Sequence, residues 1–162
     1  MFERGEAGHF TPLIYDPIMH SPLIISAPGS PGGRQDIYTP TSGVDLLPTL
    51  AHLTGNPIPD WAEGQVLPRL GGEENPDRSV YTLDAKQNAA FAPLTKLSIA
   101  LTRSNHRLVY YRYPKFEQFE FYDLAHDSEE LRDLYSYQTA LALQMKAELL
   151  DKLAEVNRPY SK

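Results

Sequence analysis

The chain has 162 residues, enough for one ordinary domain with a core, or for a core fragment plus a small subdomain. Its formal net charge is −6 and its 15 basic residues are scattered, which argues against nucleic acid as a partner. With no cysteine there is no disulfide framework, thiolate metal site or Cys nucleophile; no apolar run approaches the roughly 20 residues that span a bilayer, and MFERGEAGHF is not a signal peptide.

Residues 1–21 read as loop, because Gly5, Gly8, Pro12 and Pro17 leave no room for a long helix. Leu13-Ile14-Tyr15 is expected as a short turn packed on a core. Ser21-Pro22 then leads into Leu23-Ile24-Ile25, closed by Ala27-Pro28-Gly29. A short unbroken apolar run of this kind predicts a strand, over 22–26, buried on both faces. The stretch GSPGG at 29–33 is a flexible connection.

Val44 to Leu53 is the first expected helix. Ser42 with Asp45 three residues on makes a capping-box pattern. Leu46, Leu50 and Leu53 fall on one face, and Gly55 suits the C′ position. His52 reads as a surface histidine. From Asn56 to Asp77 the chain is loop again, with Trp61 expected to pack on the core. A boundary within Gly71–Asp77 divides the chain into 1–72 and 73–162.

The second part has a β rhythm. Residues 78–83 are β-rich, and Leu97, Ile99 and Leu101 alternate with Ser98, Ala100 and Thr102 as in a half-buried antiparallel strand. Ser104-Asn105 is the turn into Arg107–Arg112, and 119–124 gives a further strand. Asp127 and Glu130 are expected to cap a short helix at SEELRDL. A last helix runs over about 139–156, with Leu141, Met145, Leu149 and Leu153 at intervals of four.

The ordered series Met1-Phe-Glu-Arg-Gly, Gly8-His9-x-Thr11-Pro12, Tyr15-Asp16-Pro17, x-Pro22-Leu-Ile-Ile and VDLLPTLAHLTG resembles the carboxy-terminal third of sulfatases, in the alkaline-phosphatase-like superfamily. Glu63-Gly64-x-x-Leu67-Pro68, Tyr122-Asp123-Leu124 and Asp127-Ser128-Glu129-Glu130 extend the resemblance over nearly the whole chain, with Ser128 where the family usually has Pro. It implies an α/β fold. A partial alkaline-phosphatase-like core, a buried strand plus helix, is followed by a small α+β subdomain with an antiparallel sheet and a long C-terminal helix. It also implies a chain that begins in mid active site, so that Met1 reads as the start of a fragment whose amino-terminal catalytic region is its missing partner.

What the resemblance implies chemically is hydrolysis of a small-molecule sulfate ester. A formylglycine made from Cys or Ser is the nucleophile, and a divalent ion such as calcium, held by carboxylates with Asn or His, polarises the sulfate. Ser26-Ala27-Pro28-Gly29-Ser30 has Ser where the nucleophile motif requires Arg, so it is no such motif. No metal ligand is assigned in this chain. His9 is the candidate catalytic residue, and Thr11 stands where counting back from Tyr15-Asp16 puts the family's Lys. The sulfate contact therefore lies with one or the other.

Lys86 and Asn88, in AKQNAAF, either line the site or sit in a solvated loop, the plainer reading. His20, His106 and His126 read as loop or turn residues, and Asp16 as the maker of a structural ion pair or hydrogen bond. Tyr110, Tyr111, Tyr113, Phe116 and Phe119 form either a stacking platform or, more plainly, an aromatic sheet surface. Two other functions are open: a phosphoric-ester or phosphonate hydrolase of the same superfamily, and a non-catalytic binding or assembly module. Substrate, oligomeric state and compartment, cytoplasmic or periplasmic, are not specified by the residues.

Overall fold

The computed structural model describes residues 13–26 and 33–161. They gather into two compact units, Pro22–Val80 and residues 13–21 with 81–161. Residues 13–21 thus cluster with the later sheet, whereas composition alone suggests a division at 72/73.

The larger unit is built on a four-stranded sheet, β1 (Val80–Asp84), β2 (Leu97–Arg103), β3 (His106–Tyr113) and β4 (Phe116–Asp123), in the order β1-β2-β3-β4. β2, β3 and β4 pair antiparallel. Arg103 lies opposite His106, so only Ser104-Asn105 connects β2 to β3. Their φ values of +48° and +58° are the two left-handed residues that a type I′ hairpin turn needs.

Alternation divides the sheet into two faces. Leu97, Ile99 and Leu101 share one with Leu108, Tyr110 and Phe121, against α3 (Ala140–Asn157), which contributes Ala142, Met145, Leu149 and Leu153. The Thr139 hydroxyl caps this helix by accepting from the Ala142 N–H at 3.2 Å. The expected half-buried sheet is corrected on its other face. Ala100, Val109, Tyr111 and Tyr122 are also buried, covered by Ile14 with Leu13, Tyr15 and Met19 beside it. Large apolar side chains on the supposed solvent face required such a cover. The small Ser98 and Ala100 leave it room.

Tyr110 and Tyr111 are core residues, so the aromatics do not form one exposed surface, and only Phe116 among them is exposed. Tyr110 stacks on Phe119 at 4.2 Å between centroids, and Phe119 on Tyr135 at 5.4 Å. No helix forms at SEELRDL. Asp127 instead closes a turn, accepting from the N–H groups of Leu131 at 3.0 Å and Arg132 at 2.8 Å. Glu130 has φ +55°, a left-handed backbone that stops a helix.

In the smaller unit a 3₁₀ turn at Gly43–Asp45 runs into α2 (Leu46–Leu53). Gly55, with φ +69°, ends it: its N–H donates to the His52 carbonyl and that of Asn56 to Ala51, the Schellman arrangement. The expected leucine face is not the buried one. Leu46, Leu47, Leu50 and Leu53 are exposed, and Asp45, Pro48, Thr49 and Ala51 are buried. Polar bonds decide this orientation. The Thr49 hydroxyl donates to the Asp45 carbonyl at 2.7 Å and accepts from the Leu67 N–H at 2.9 Å.

The 22–26 run carries no strand and is exposed, Ile24 at 93%. A strand exists only by pairing, and among the described residues the sheet belongs to the other unit. Trp61 is likewise 74% exposed rather than packed. No helix in the described residues is long and apolar enough to cross a membrane.

Candidate functional site

His9 and Thr11 lie outside the described residues. The segment that follows them is defined at several atoms. Ile14 is buried on the sheet, and α1 (Asp16–Met19) begins at the next turn, with Asp16 in its first turn and a proline at 17. The Asp16 N–H donates to Glu130 Oε2 at 2.7 Å. Its carboxylate accepts from Arg107 Nη2 at 3.0 Å. Arg107 Nη1 in turn donates to Glu130 Oε1 at 2.7 Å, and its Nε to the Thr102 hydroxyl at 3.1 Å. Arg107 and Glu130 are both buried, so the pair exchanges its water for these partners.

Asp16 therefore makes the ion pair and hydrogen bond that its sequence context suggested. Arg107 and Glu130 were missed as its partners. They stand 91 and 114 residues away, and nothing local marks them. The one available signal was a charged residue at 107 on the face of a strand otherwise rich in aromatic and apolar side chains.

Next to this network Glu120 accepts from the hydroxyls of Tyr122 at 3.0 Å and Tyr15 at 3.4 Å, and from Gln118 at 3.0 Å. Burial, then the Glu120 charge, pushes the Tyr111 hydroxyl well above ordinary tyrosine titration. Tyr81, on the opposite side of the sheet, is pushed up to about 12 by burial and by Glu148, to which it donates at 3.2 Å.

Lys86 is exposed and pairs with Asp84 at 3.2 Å. Asn88 organises its own loop: its amide nitrogen donates to the carbonyls of Ala85 at 2.8 Å and Lys96 at 2.6 Å, and its oxygen accepts from the N–H groups of Thr95 and Lys96. His20 is exposed, 3.5 Å from the Asp16 carboxylate. His126 lies 2.8 Å from Asp123, whose half-buried carboxyl is held below the usual range chiefly by that hydrogen bond. His106 bonds the Ser104 carbonyl at 2.8 Å and stacks on Phe121.

In the smaller unit a hollow of about 300 Å³ is lined by Gln35, Asp36, Ile37 and Arg69. It brings together no nucleophile and base. Among the described residues no group of three or more His, Asp or Glu side chains is placed to hold a metal ion. The described residues thus do not build a site for the divalent ion that the sulfatase resemblance implies; the sequence has no cysteine, and its closest approach to the nucleophile motif, residues 26–30, lacks the required Arg.

No curated protein gives a significant match to the chain. Several solved structures share its fold. One is BT4656 in complex with its substrate D-glucosamine-2-N,6-O-disulfate, at 22% identity over 72% of this chain and 24% of that one, TM-score 0.50. Another, Ps i-CgsB, has 20% identity over 75% of this chain and 26% of that one, TM-score 0.55. The chain spans about a quarter of the length of these structures. At such identities they speak to fold alone, and they support the α/β arrangement of sheet and long C-terminal helix. Residues 5–158, nearly the whole sequence, match the family model for N-sulphoglucosamine sulphohydrolase, C-terminal, and the chain belongs to that family.

Proposed function

We propose that this chain is the carboxy-terminal module of a sulfatase that hydrolyses sulfate esters, and that residues 8–12 supply it with a contact to the sulfate. The observation that carries this reading is the family match over residues 5–158, which takes in residues 8–12 and the described segment that follows them. The family description and the substrate of BT4656 both place sulfate on a glucosamine, so a sulfated amino sugar is the favoured substrate class.

The work of this module is charge stabilisation. Transfer of the sulfuryl group to water leaves growing negative charge on the departing oxygen and on the sulfuryl oxygens. A positioned N–H or O–H donor aimed there binds the transition state more tightly than the ground state. His9 can donate to a sulfate oxygen or protonate the leaving oxygen, and Thr11 can donate through its hydroxyl.

The module alone performs no turnover on this reading, since it brings neither the formylglycine motif nor, among the described residues, a metal-ligand cluster. Purified chain should release no sulfate from an aryl sulfate or from N-sulfoglucosamine, with or without added calcium. Turnover abolished by a chelator would contradict this. A longer family member containing the same 8–12 loop should prefer the sulfate ester to the matching phosphate ester. Preference for phosphate would instead favour a phosphoric-ester hydrolase of the same superfamily.

A further inference from the structure

The helix α2 presents its leucines outward under constraint. Val44, Leu46, Leu47, Leu50 and Leu53 are 40–59% exposed, while Asp45, Thr49 and Ala51 are buried. Turning the helix to bury the leucines would pull Asp45 away from Arg78 and the Thr49 hydroxyl away from the Leu67 N–H. Both are buried polar groups that are costly to strand. The orientation is thus built into the smaller unit, and an open row of leucines follows from it. Soluble proteins rarely leave a contiguous apolar patch of more than roughly a few hundred Å² uncovered.

The same unit holds a second unsatisfied element. Leu23, Ile24 and Ile25 are exposed, and among the described residues no backbone group of 22–26 is hydrogen-bonded. Three consecutive apolar side chains suit a strand covered on both faces, as in a sheet that carries helices on either side. Two copies of this chain pairing through so short a run would make an isolated two-stranded ribbon, which is marginal in water. An existing α/β sheet would satisfy the run on its edges and on its faces.

We propose that the leucine face of α2 and the 22–26 run are the seam by which this module joins the rest of a longer sulfatase. The run adds as a strand to that region's α/β sheet, and the leucines make an apolar contact with it. The size of the related structures supports this occupant: the chain spans about a quarter of their length, and its family is a C-terminal one. The inference rests on the reading that the chain is the carboxy-terminal module of a sulfatase, and on no contact to sulfate.

Leu143, on α3, is a control, because it is 46% exposed but belongs to the larger unit. In this chain, Leu50→Ala and Leu143→Ala should each move the melting temperature by no more than about 2 °C. In a full-length family member with leucines at the α2 positions, Leu50→Ala should lower it by about 4 °C or more. Leu143→Ala should again leave it in place. Amides at 23–25 should exchange about 100-fold more slowly in the full-length protein than in this chain.

Equally fast exchange at 23–25 in both proteins would overturn the added strand. A full-length protein indifferent to Leu50→Ala would overturn the leucine contact. If in addition this chain sedimented as a dimer that Leu50→Asp splits, the face would belong to a second copy instead. Turnover of a sulfate ester by the purified chain would bring down the module reading itself. Without such turnover, failure of the two full-length measurements would bring down the seam alone.

Discussion

Asp45 shows how one side chain can orient a whole helix. Its carboxylate accepts from the Ser42 N–H at 2.8 Å, the Gln65 N–H at 3.0 Å and Arg78 Nη2 at 2.7 Å, while its side chain is fully buried. Burial by itself would raise its pKa. The Arg78 guanidinium and the two backbone donors outweigh burial and hold it below the ordinary carboxylate value. Because the folded value is the lower one, the unfolded chain binds more protons as pH drops. The stability from this group is then present above about pH 4 and is lost as pH falls through the folded pKa. Asp45→Asn removes the charge but not the shape, stranding Arg78, and should destabilise the smaller unit on the order of 3–5 kcal/mol at neutral pH. Thermal melts across pH 2–7 should show the difference between wild type and variant shrinking toward acid; a constant difference would contradict the assignment. The Ser42–Asp45 half of this network was legible, being a three-residue pattern. Arg78, 33 residues on, was not, because no local rule selects one cation among many.

At the scale of elements, periodicity read well where helix and sheet pack on each other. Met145, Leu149 and Leu153 are buried as their spacing predicts, and the β2–β3 turn falls at Ser104-Asn105. It misled in α2, where the same leucine spacing marks the exposed side, because the helix is oriented by Asp45 and Thr49 rather than by apolar burial. It misled again at 22–26, where an apolar run found no strand to pair with. These two cases make opposite predictions for similar substitutions. Met145→Ala or Leu149→Ala should cost about 2–5 kcal/mol. Leu50→Ala, at a residue 59% exposed, should stay within about 0.5 kcal/mol in this chain. Denaturant titrations of the variants check this, and a costly Leu50→Ala would mean that the leucine face is covered in solution. Gly72 adds a backbone test: a Cβ there would lie 1.8 Å from the Val66 carbonyl oxygen, so Gly72→Ala should destabilise the smaller unit.

For the molecule as a whole, the sheet unit should be the most stable part, since β2, β3 and β4 are paired along their length and α3 covers one face. Hydrogen exchange should protect residues 97–101 far better than 23–25, and the reverse order would contradict this layout. The family was legible because it lives in an ordered series of short motifs along the chain. The proposed sulfate contact rests on the sequence alone, as a choice between His9 and Thr11, and both lie outside the described residues. The most direct test is therefore kinetic, in a full-length family member carrying this Gly-His-x-Thr-Pro loop. His9→Ala should lower kcat by about 10²–10³ with little effect on KM or on the melting temperature, and Thr11→Ala should cost clearly less. Loss with Thr11→Ala but not His9→Ala would move the sulfate contact by two residues. An unchanged kcat in both would mean that residues 8–12 do not contact the sulfate.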